Sequence, residues 1–182
     1  GSPLSEEQLE EALQSLEQPN QMERYRQLRS SFQAPAKPDH SVFELKCSLQ
    51  PGQPVVYDQS TDNRSAWGAA IADLAKINLN NPTPIVVLDC DLQGSVKTGD
   101  FASVSPDRYI QAGIMEHHTV VLGGALSSCG IQTFWADFGM FGLDEVYNMH
   151  RLNDINHTNL KVVLTHVGLD VGEDGKTHQC ID

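Results

Sequence analysis

Side chains able to do acid–base or binding chemistry collect at three places in this sequence, each at the end of an apolar run of the strand type. They are Asp89–Asp91, Asp137 and His166, the last of which is followed by the polar segment 172–179. Because ligands bind at the carboxyl ends of strands in open parallel sheets, we expect these clusters to meet at one edge of a sheet.

Glu116 is a fourth candidate, because Gly113, Ile114 and Met115 precede it. A carboxyl group in apolar surroundings holds a proton more readily than one in water, which suits acid–base work near neutrality. Taken alone, however, this glutamate is explained as well by a carboxylate at the N-terminus of the helix that follows.

Two other motifs suggest different chemistry. The segment 170–177 ends in Gly-Lys-Thr after a strand, as a phosphate-binding P-loop does, but Asp170 stands where that motif needs glycine. Asp89 and Asp91 have the spacing of the aspartyl-phosphate hydrolases, in which one Asp attacks and the other shuttles a proton. Those enzymes usually have threonine where Gln93 stands. Both interpretations are therefore disfavoured.

Alternating strands and helices must position these residues. The predicted strands are Ile85–Asp89, Tyr109–Ala112, Ile131–Ala136 and Leu160–Thr165. The predicted helices are Trp67–Asn78 (capped by Asp62 or Thr61), 117–128 and Leu143–Asn156. This alternation predicts an α/β fold: a doubly wound, mainly parallel sheet flanked by helices.

The N-terminal part has a different pattern. Ser5 and Gln8 have capping-box spacing ahead of an amphipathic helix, and a second short helix is expected over Met22–Ser30. Two proline-containing stretches, 33–40 and 50–55, suggest a linker and a loop or edge segment. We therefore interpret residues 3–57 as a helical and extended interdomain connector and 58–182 as the main domain.

Composition excludes several classes of partner. The 182 residues include 24 acidic and only 12 basic side chains, for a net charge of -12, so nucleic acid is not an expected partner. The longest apolar runs are too short to cross a bilayer, so no membrane partner is expected either. The four cysteines form no Cys-x-x-Cys pair, which disfavours a zinc ribbon or a disulfide framework and suggests reduced thiols in a cytoplasm.

Two segments resemble one family. The segment 172–179, Gly-Glu-Asp-Gly-Lys-Thr-His-Gln, is very similar to the transketolase signature, which usually has proline where Lys176 stands. The segment 107–117 resembles the stretch containing that family's catalytic glutamate. Residues 61–182 therefore resemble the pyrimidine-binding (middle) domain of transketolases, in the thiamine-diphosphate superfamily.

The resemblance implies roles at the cofactor. Glu116 matches the catalytic carboxyl group that hydrogen-bonds the aminopyrimidine ring, and Asp91 and Leu92 match residues lining the cofactor cleft. Phe138 and Phe141 have the F-x-x-F spacing of the family's aromatic wall, although Trp135 or Tyr147 could take that place.

One departure concerns the residues just before the first phenylalanine. Ala136 and Asp137 stand where the family usually has Gly-Thr.

The resemblance also implies a substrate site. Arg64, Ser95 and His166 match positions that contact the substrate phosphate, and Asp174 matches the acid that contacts a sugar hydroxyl. His178 matches a histidine close to the reacting carbons, so it is expected to be both catalytic and substrate-binding. Arginine grips phosphate through two parallel hydrogen bonds, to which histidine and serine add donors.

The implied activity is ketol transfer, in which a two-carbon unit passes from a ketose phosphate to an aldose phosphate, as in the pentose phosphate pathway. The implied cofactors are thiamine diphosphate and Mg²⁺. The Mg²⁺ ligands belong to a separate pyrophosphate-binding domain, whose Gly-Asp-Gly…Asn segment is not in this sequence. We therefore expect the pyrophosphate-binding domain as a partner, within a homodimer, and no metal ligand in this chain. We also expect the pyrimidine-binding domain to be truncated at its C-terminus and to be inactive alone.

Other readings of the same fold remain open. Deoxyxylulose-phosphate synthase and the β subunits of 2-oxo acid dehydrogenases share the fold and the glutamate. A non-catalytic partner-binding domain would keep the fold alone, and it would have no need of Glu116, Arg64, Asp174 or His178.

Overall fold

The computed structural model describes residues 4–16, 20–33, 48–168 and 174–180. The chain divides into two compact units, 1–39 and 40–182. Most of the expected linker at 33–40, and the first part of the segment 170–177, lie outside the described residues. The division into domains at residue 57 stays a prediction.

The first unit contains two helices, α1 (Glu6–Ser15) and α2 (Gln21–Ser31). The predicted capping box is present: Gln8 N–H donates to Ser5 Oγ at 3.2 Å, and Ser5 N–H donates to Gln8 Oε1 at 2.9 Å. These paired bonds satisfy two helix-end donors and explain why α1 begins at Glu6. Both predicted N-terminal helices are confirmed.

The second unit alternates helices and strands as predicted. Its helices are α3 (Asn63–Ile77), α4 (Gln93–Val96), α5 (Gly99–Val104), α6 (Glu116–Ser128) and α7 (Tyr147–Ile155). Its strands are β1 (Ile85–Asp89), β2 (Tyr109–Gln111), β3 (Gln132–Phe138) and β4 (Lys161–Thr165). Of the two proposed caps for α3, Asp62 is the one used, because its side chain accepts from Ser65 N–H at 2.9 Å.

The four described strands form one sheet in the order β2-β1-β3-β4, and every pairing is parallel. Asp89 pairs with Gln111 on one side and Ala136 on the other, so β1 and β2 end level and β3 continues for two residues beyond them. All five residues of β1 are buried, as expected for a central parallel strand.

Helices cover both faces of the sheet, which confirms the doubly wound α/β fold. On one face Ile71, Val87 and Phe101 pack among residues of α3 and α5. On the other face Leu88 and Trp135 pack with residues of α6 and α7. None of the helices among the described residues is long and apolar enough to cross a membrane.

Two boundaries differ from the prediction around residue 138. Strand β3 extends to Phe138, two residues beyond the predicted end, so Asp137 lies within the sheet. A π-helical turn, Met140–Asp144, follows, and α7 begins at Tyr147 rather than Leu143. The turn presses Gly142 onto the sheet, where an added Cβ would lie 3.0 Å from the Cβ of Asp137.

Candidate active site

The carboxyl ends of the strands and the loops after them surround a cavity of about 440 Å³. Five of its lining residues were predicted for the cofactor or reaction site from the sequence: Asp91, Leu92, Glu116, Phe141 and His178. Three others were not predicted: Cys90, Ile114 and Glu145. The cavity therefore combines carboxylates, an imidazole and an apolar wall.

Glu116 is the first residue of α6 and is half-buried at the cavity wall. The turn before it needs Gly113, whose φ of +71° lies in the left-handed region. The N-terminal end of a helix favours negative charge because its N–H groups point outward unpaired. Glu116 thus lies at a helix N-terminus and lines the cavity.

Asp89 holds the loop that follows β1. It is fully buried, and its Oδ2 accepts a short hydrogen bond from Thr98 Oγ1. Its Oδ1 accepts from Leu92 N–H at 2.8 Å and from Gln111 Nε2 at 3.1 Å. Since both carboxylate oxygens are occupied, Asp89 positions the loop and does not present the free nucleophile that a phosphate hydrolase requires.

Gln111 joins the two loops that border the cavity. Its Oε1 accepts from Asp91 N–H at 2.8 Å and from Gly113 N–H at 3.0 Å. Asp91 has a positive φ of +66°, a conformation that costs energy outside glycine and needs such support. Sequence reasoning missed Gln111, because an exposed glutamine at the end of a strand belongs to no motif.

The two predicted phenylalanines have different positions. Their rings lie 5.9 Å apart between centroids at an interplanar angle of 18°, but only Phe141 lines the cavity. Phe138 is buried behind it. Trp135 is fully buried in the core and Tyr147 is 69% exposed on α7, so neither replaces Phe141 in the cavity wall.

A second cavity, of about 380 Å³, lies at the end of β4 and includes Arg64 and His166 in its lining. The ring of Phe138 lies 3.8 Å from that of His166 and 6.1 Å from that of His178 between centroids. His178 lines the first cavity and His166 lines the second, so ring contacts through Phe138 connect residues of the two cavities.

The structure brings the predicted phosphate-site residues together. Arg64 Nη1 donates to the backbone carbonyl of Ser95 at 3.4 Å and lies 3.4 Å from His166 Nε2. Asp174 Oδ2 lies 3.8 Å from the same Nε2. Burial lowers the pKa of His166, the Arg64 cation lowers it further, and Asp174 opposes both. His166 is therefore neutral at pH 7.

A buried acidic cluster lies beside Glu116. Ligand-type atoms of Cys90, Glu116 and Asp137 all lie within 4.8 Å of one another. Asp137 is fully buried, and its Oδ1 accepts from Phe138 N–H at 2.7 Å. Burial raises the pKa of Cys90 to about 12, so this thiol keeps its proton and donates to Thr119 Oγ1 at 3.3 Å. The sequence flagged Asp137 only as a polar strand end and a departure from the family.

The fold and site together define an α/β ligand-binding domain with an acidic and aromatic cavity at the carboxyl edge of its sheet. The family described as "Transketolase, pyrimidine binding domain" matches residues 61–182, and the chain belongs to this family. Membership implies a domain that works with thiamine diphosphate, as the sequence resemblance predicted.

Individual relatives agree with this assignment. The chain is 36% identical over 117 residues to 1-deoxy-D-xylulose-5-phosphate synthase of Halalkalibacterium halodurans (62% of this chain, 18% of that protein). It is 29% identical over 184 residues to transketolase-like protein 2 of Bos taurus (100% of this chain, 28% of that protein).

A solved structure described as "Split gene transketolase, inactive beta4 tetramer" is also similar, with a TM-score of 0.52 and 34% identity. That match covers 65% of this chain and 36% of the other. The chain thus spans about a third or less of the length of these relatives.

Proposed function

We propose that this chain provides the pyrimidine-binding half of a transketolase-type enzyme, which transfers a two-carbon ketol unit from a ketose phosphate to an aldose phosphate. The observation that supports this most is the convergence of Glu116, Phe141 and His178 on one cavity. Next to it, Arg64 and His166 line a second cavity suited to an anion.

The first cavity fits the aminopyrimidine ring of thiamine diphosphate. Leu92, Ile114 and Phe141 provide apolar surface for a flat ring, and Glu116 provides a carboxylate at the rim. An offset aromatic contact is worth about 0.5–1.5 kcal/mol beyond the area it buries. When bound, thiamine diphosphate supplies the carbon nucleophile that ketol transfer needs.

The chain's own residues then act on that ring and on the sugar. The Glu116 carboxyl group would form a hydrogen bond with the ring nitrogen of the bound pyrimidine. Phe141 would fix the plane of that ring. His178 stands at the rim of the same cavity, where it orients the reacting hydroxyl groups.

The second cavity binds the phosphate group of the sugar. The guanidinium of Arg64 gives charge and two donors, and the neutral ring of His166 adds a further hydrogen bond. Asp174, held near His166, is suited to accept from a sugar hydroxyl. Ser95 contributes to the Arg64 position through its backbone carbonyl.

The remaining parts of the active site come from a partner. We infer a pyrophosphate-binding domain that brings Mg²⁺ and the diphosphate group, in a homodimeric assembly. The chain's short share of its relatives' length supports this inference. We place the reaction in the pentose phosphate pathway of the cytoplasm, in keeping with the absence of a disulfide at Cys90 and Cys129.

A deoxyxylulose-phosphate synthase reaction is the second candidate, favoured by the 36% identity to that relative. The two reactions share the cofactor and differ in the donor. Supplying a 2-oxo acid in place of the ketose phosphate separates them, because only the second candidate consumes it.

Reconstitution tests the proposal. The chain is mixed with a separately expressed pyrophosphate-binding domain, thiamine diphosphate and Mg²⁺, and ketol transfer between sugar phosphates is followed. Glu116→Gln is expected to lower kcat by about 10²–10⁴-fold, the range for loss of a general acid–base group. Asp154→Asn, an exposed carboxylate on α7, is the matched control and keeps the activity. Equal activity of Glu116→Gln and the wild-type chain would refute the assigned role.

A further inference from the structure

Asp137 is an unusual residue for the centre of a parallel sheet. It lies in β3, its side chain is fully buried, and one carboxylate oxygen is satisfied by Phe138 N–H at 2.7 Å. The other oxygen, Oδ2, has no hydrogen-bond partner among the described residues. A buried charge without a donor is costly, so this oxygen needs either a proton or a ligand.

The groups that face Asp137 are acidic or neutral. Glu116 of α6 and Asp89 of β1 both raise its pKa through their charges, and the thiol of Cys90 lies beside it. Glu145, which lines the cavity from the segment before α7, adds another carboxylate nearby. No cation is among the groups that perturb Asp137, and only the Phe138 N–H and the Cys90 thiol favour its charged form, so two ionised carboxylates here would repel each other.

Glu116 and Asp137 have unequal environments. Glu116 is half-buried at the first position of α6 and lines the cavity. Asp137 is enclosed, and burial raises its pKa to about 7. When two neighbouring carboxyl groups differ in this way, the enclosed one keeps the proton.

We propose that Asp137 is a positioning residue that shares one proton with Glu116. Oδ2 of Asp137 holds the proton and donates a hydrogen bond to the Glu116 carboxylate. A carboxylate oxygen of each residue already lies within 4.8 Å of the other, so a side-chain rotation of Glu116 forms this bond. The pair then carries one negative charge, and the hydrogen bond from Asp137 fixes the orientation of Glu116 toward the cavity. The positioning role rests on the proposed function, whereas the shared proton does not.

The same atoms could attract a metal ion instead of a proton. Thiolate is the form of cysteine that binds metals, and burial raises the pKa of Cys90 to about 12. A proton therefore explains the cluster better than an ion does. If one equivalent of zinc per chain abolished the titration described below, the cluster would be a metal site and the proposal would be overturned.

Carbon NMR of the full chain labelled with ¹³C-carboxyl aspartate tests the shared proton directly. Asp137→Asn assigns the signal by its disappearance. The wild-type signal is expected to titrate with a midpoint about three units above the ordinary aspartate value. Glu116→Gln is expected to move that midpoint down, because it removes the neighbouring charge.

The control is Asp154→Asn on α7, which removes an exposed carboxylate that is not among the groups perturbing Asp137 and is expected to leave the midpoint unchanged. A wild-type midpoint at the ordinary aspartate value would overturn the proposal. So would a midpoint that Glu116→Gln does not move. A wild-type chain in which every aspartate signal titrates at the ordinary value needs no assignment, so that outcome overturns the proposal even if a variant fails to fold.

The positioning role is tested in the reconstituted enzyme. Asp137→Asn keeps a donor toward Glu116 and is expected to retain most of kcat while losing an ionisation from the pH profile. Asp137→Ala removes the donor and is expected to lower kcat about tenfold or more with little change in KM. Equal kcat and equal pH profiles for both variants would overturn the role. If the wild-type assembly were inactive but the Asp137 signal showed the expected raised midpoint, only the proposed function would be contradicted.

Discussion

At the scale of residues, the site depends on carboxyl groups whose environments differ although their chemistry is the same. Asp89 has both oxygens occupied by donors, and Glu116 stands at a helix N-terminus. Asp137 is buried with an unpaired oxygen. The first holds the loop after β1, the second lines the cavity, and the third is the group that we propose keeps a proton. The residue type alone would not distinguish these roles.

The raised pKa of Asp137 predicts a measurable pH dependence of stability. Between the ordinary value of 3.8 and about 7, the folded chain binds this proton and the unfolded chain does not. Stability therefore falls as pH rises through that window, by at most about 1.4 kcal/mol for each pH unit. Urea unfolding at about pH 5 and pH 8 is expected to show a smaller fall for Asp137→Asn. Identical differences in both proteins would contradict the burial argument.

His166 gives a second test, with two variants of opposite sign. Arg64 lowers the pKa of His166, and Asp174 raises it. Arg64→Ala is thus expected to raise the pKa, and Asp174→Asn to lower it, as measured by ¹⁵N NMR titration of the histidine rings. A shift in the same direction for both variants would mean that the three groups do not interact as the structure places them.

At the scale of elements, local sequence signals predicted much of the second unit. Apolar β-branched runs marked strands β1 and β4, and Asp62 marked the start of α3. The end of β3 was missed because Asp137 is polar, whereas the structure extends the strand there by pairing Asp137 and Phe138 with Leu164 and Thr165 of β4. The turn itself has no local signal beyond Gly142.

The meeting of the site residues was predictable for the same reason as the fold. Strand ends in a parallel sheet lie at one edge, so Asp91 and His178 could be expected near Glu116. The closeness of Asp137 to Glu116 depends on which face of β3 the helix α6 covers. That choice is made by tertiary packing and has no mark in the sequence.

The side chain of Gln111 accepts hydrogen bonds from the loop after β1 and the loop after β2, so we expect its substitution to affect both loops together. Gln111→Leu removes the acceptor for Asp91 N–H and Gly113 N–H and is expected to destabilise the fold by about 1 kcal/mol, since the site is partly solvated. Amide hydrogen exchange at Asp91 and Gly113 is expected to accelerate together. Gln50→Leu is the control, because Gln50 makes its described bonds through its backbone. Unchanged exchange at both amides would contradict the inference that the Gln111 side chain holds the two loops.

At the scale of the whole molecule, the chain has a net charge of -12 but places Arg64 in the lining of the second cavity. A single well-placed cation suffices for a small phosphorylated ligand, whereas a nucleic acid needs a basic surface. The chain spans between 18% and 36% of the relatives it matches, and its cavity is open at the sheet edge. In the proposed function, the pyrophosphate-binding partner domain closes this edge.

The central claim is that Glu116 activates thiamine diphosphate bound in this cavity. The most direct measurement follows exchange of the cofactor's C2 proton for deuterium by NMR, with the chain, a pyrophosphate-binding domain and Mg²⁺ but no sugar. The account predicts fast exchange for the wild-type chain and a loss of about 10²-fold or more for Glu116→Gln, with Asp154→Asn unchanged. Exchange by Glu116→Gln at the wild-type rate would contradict it.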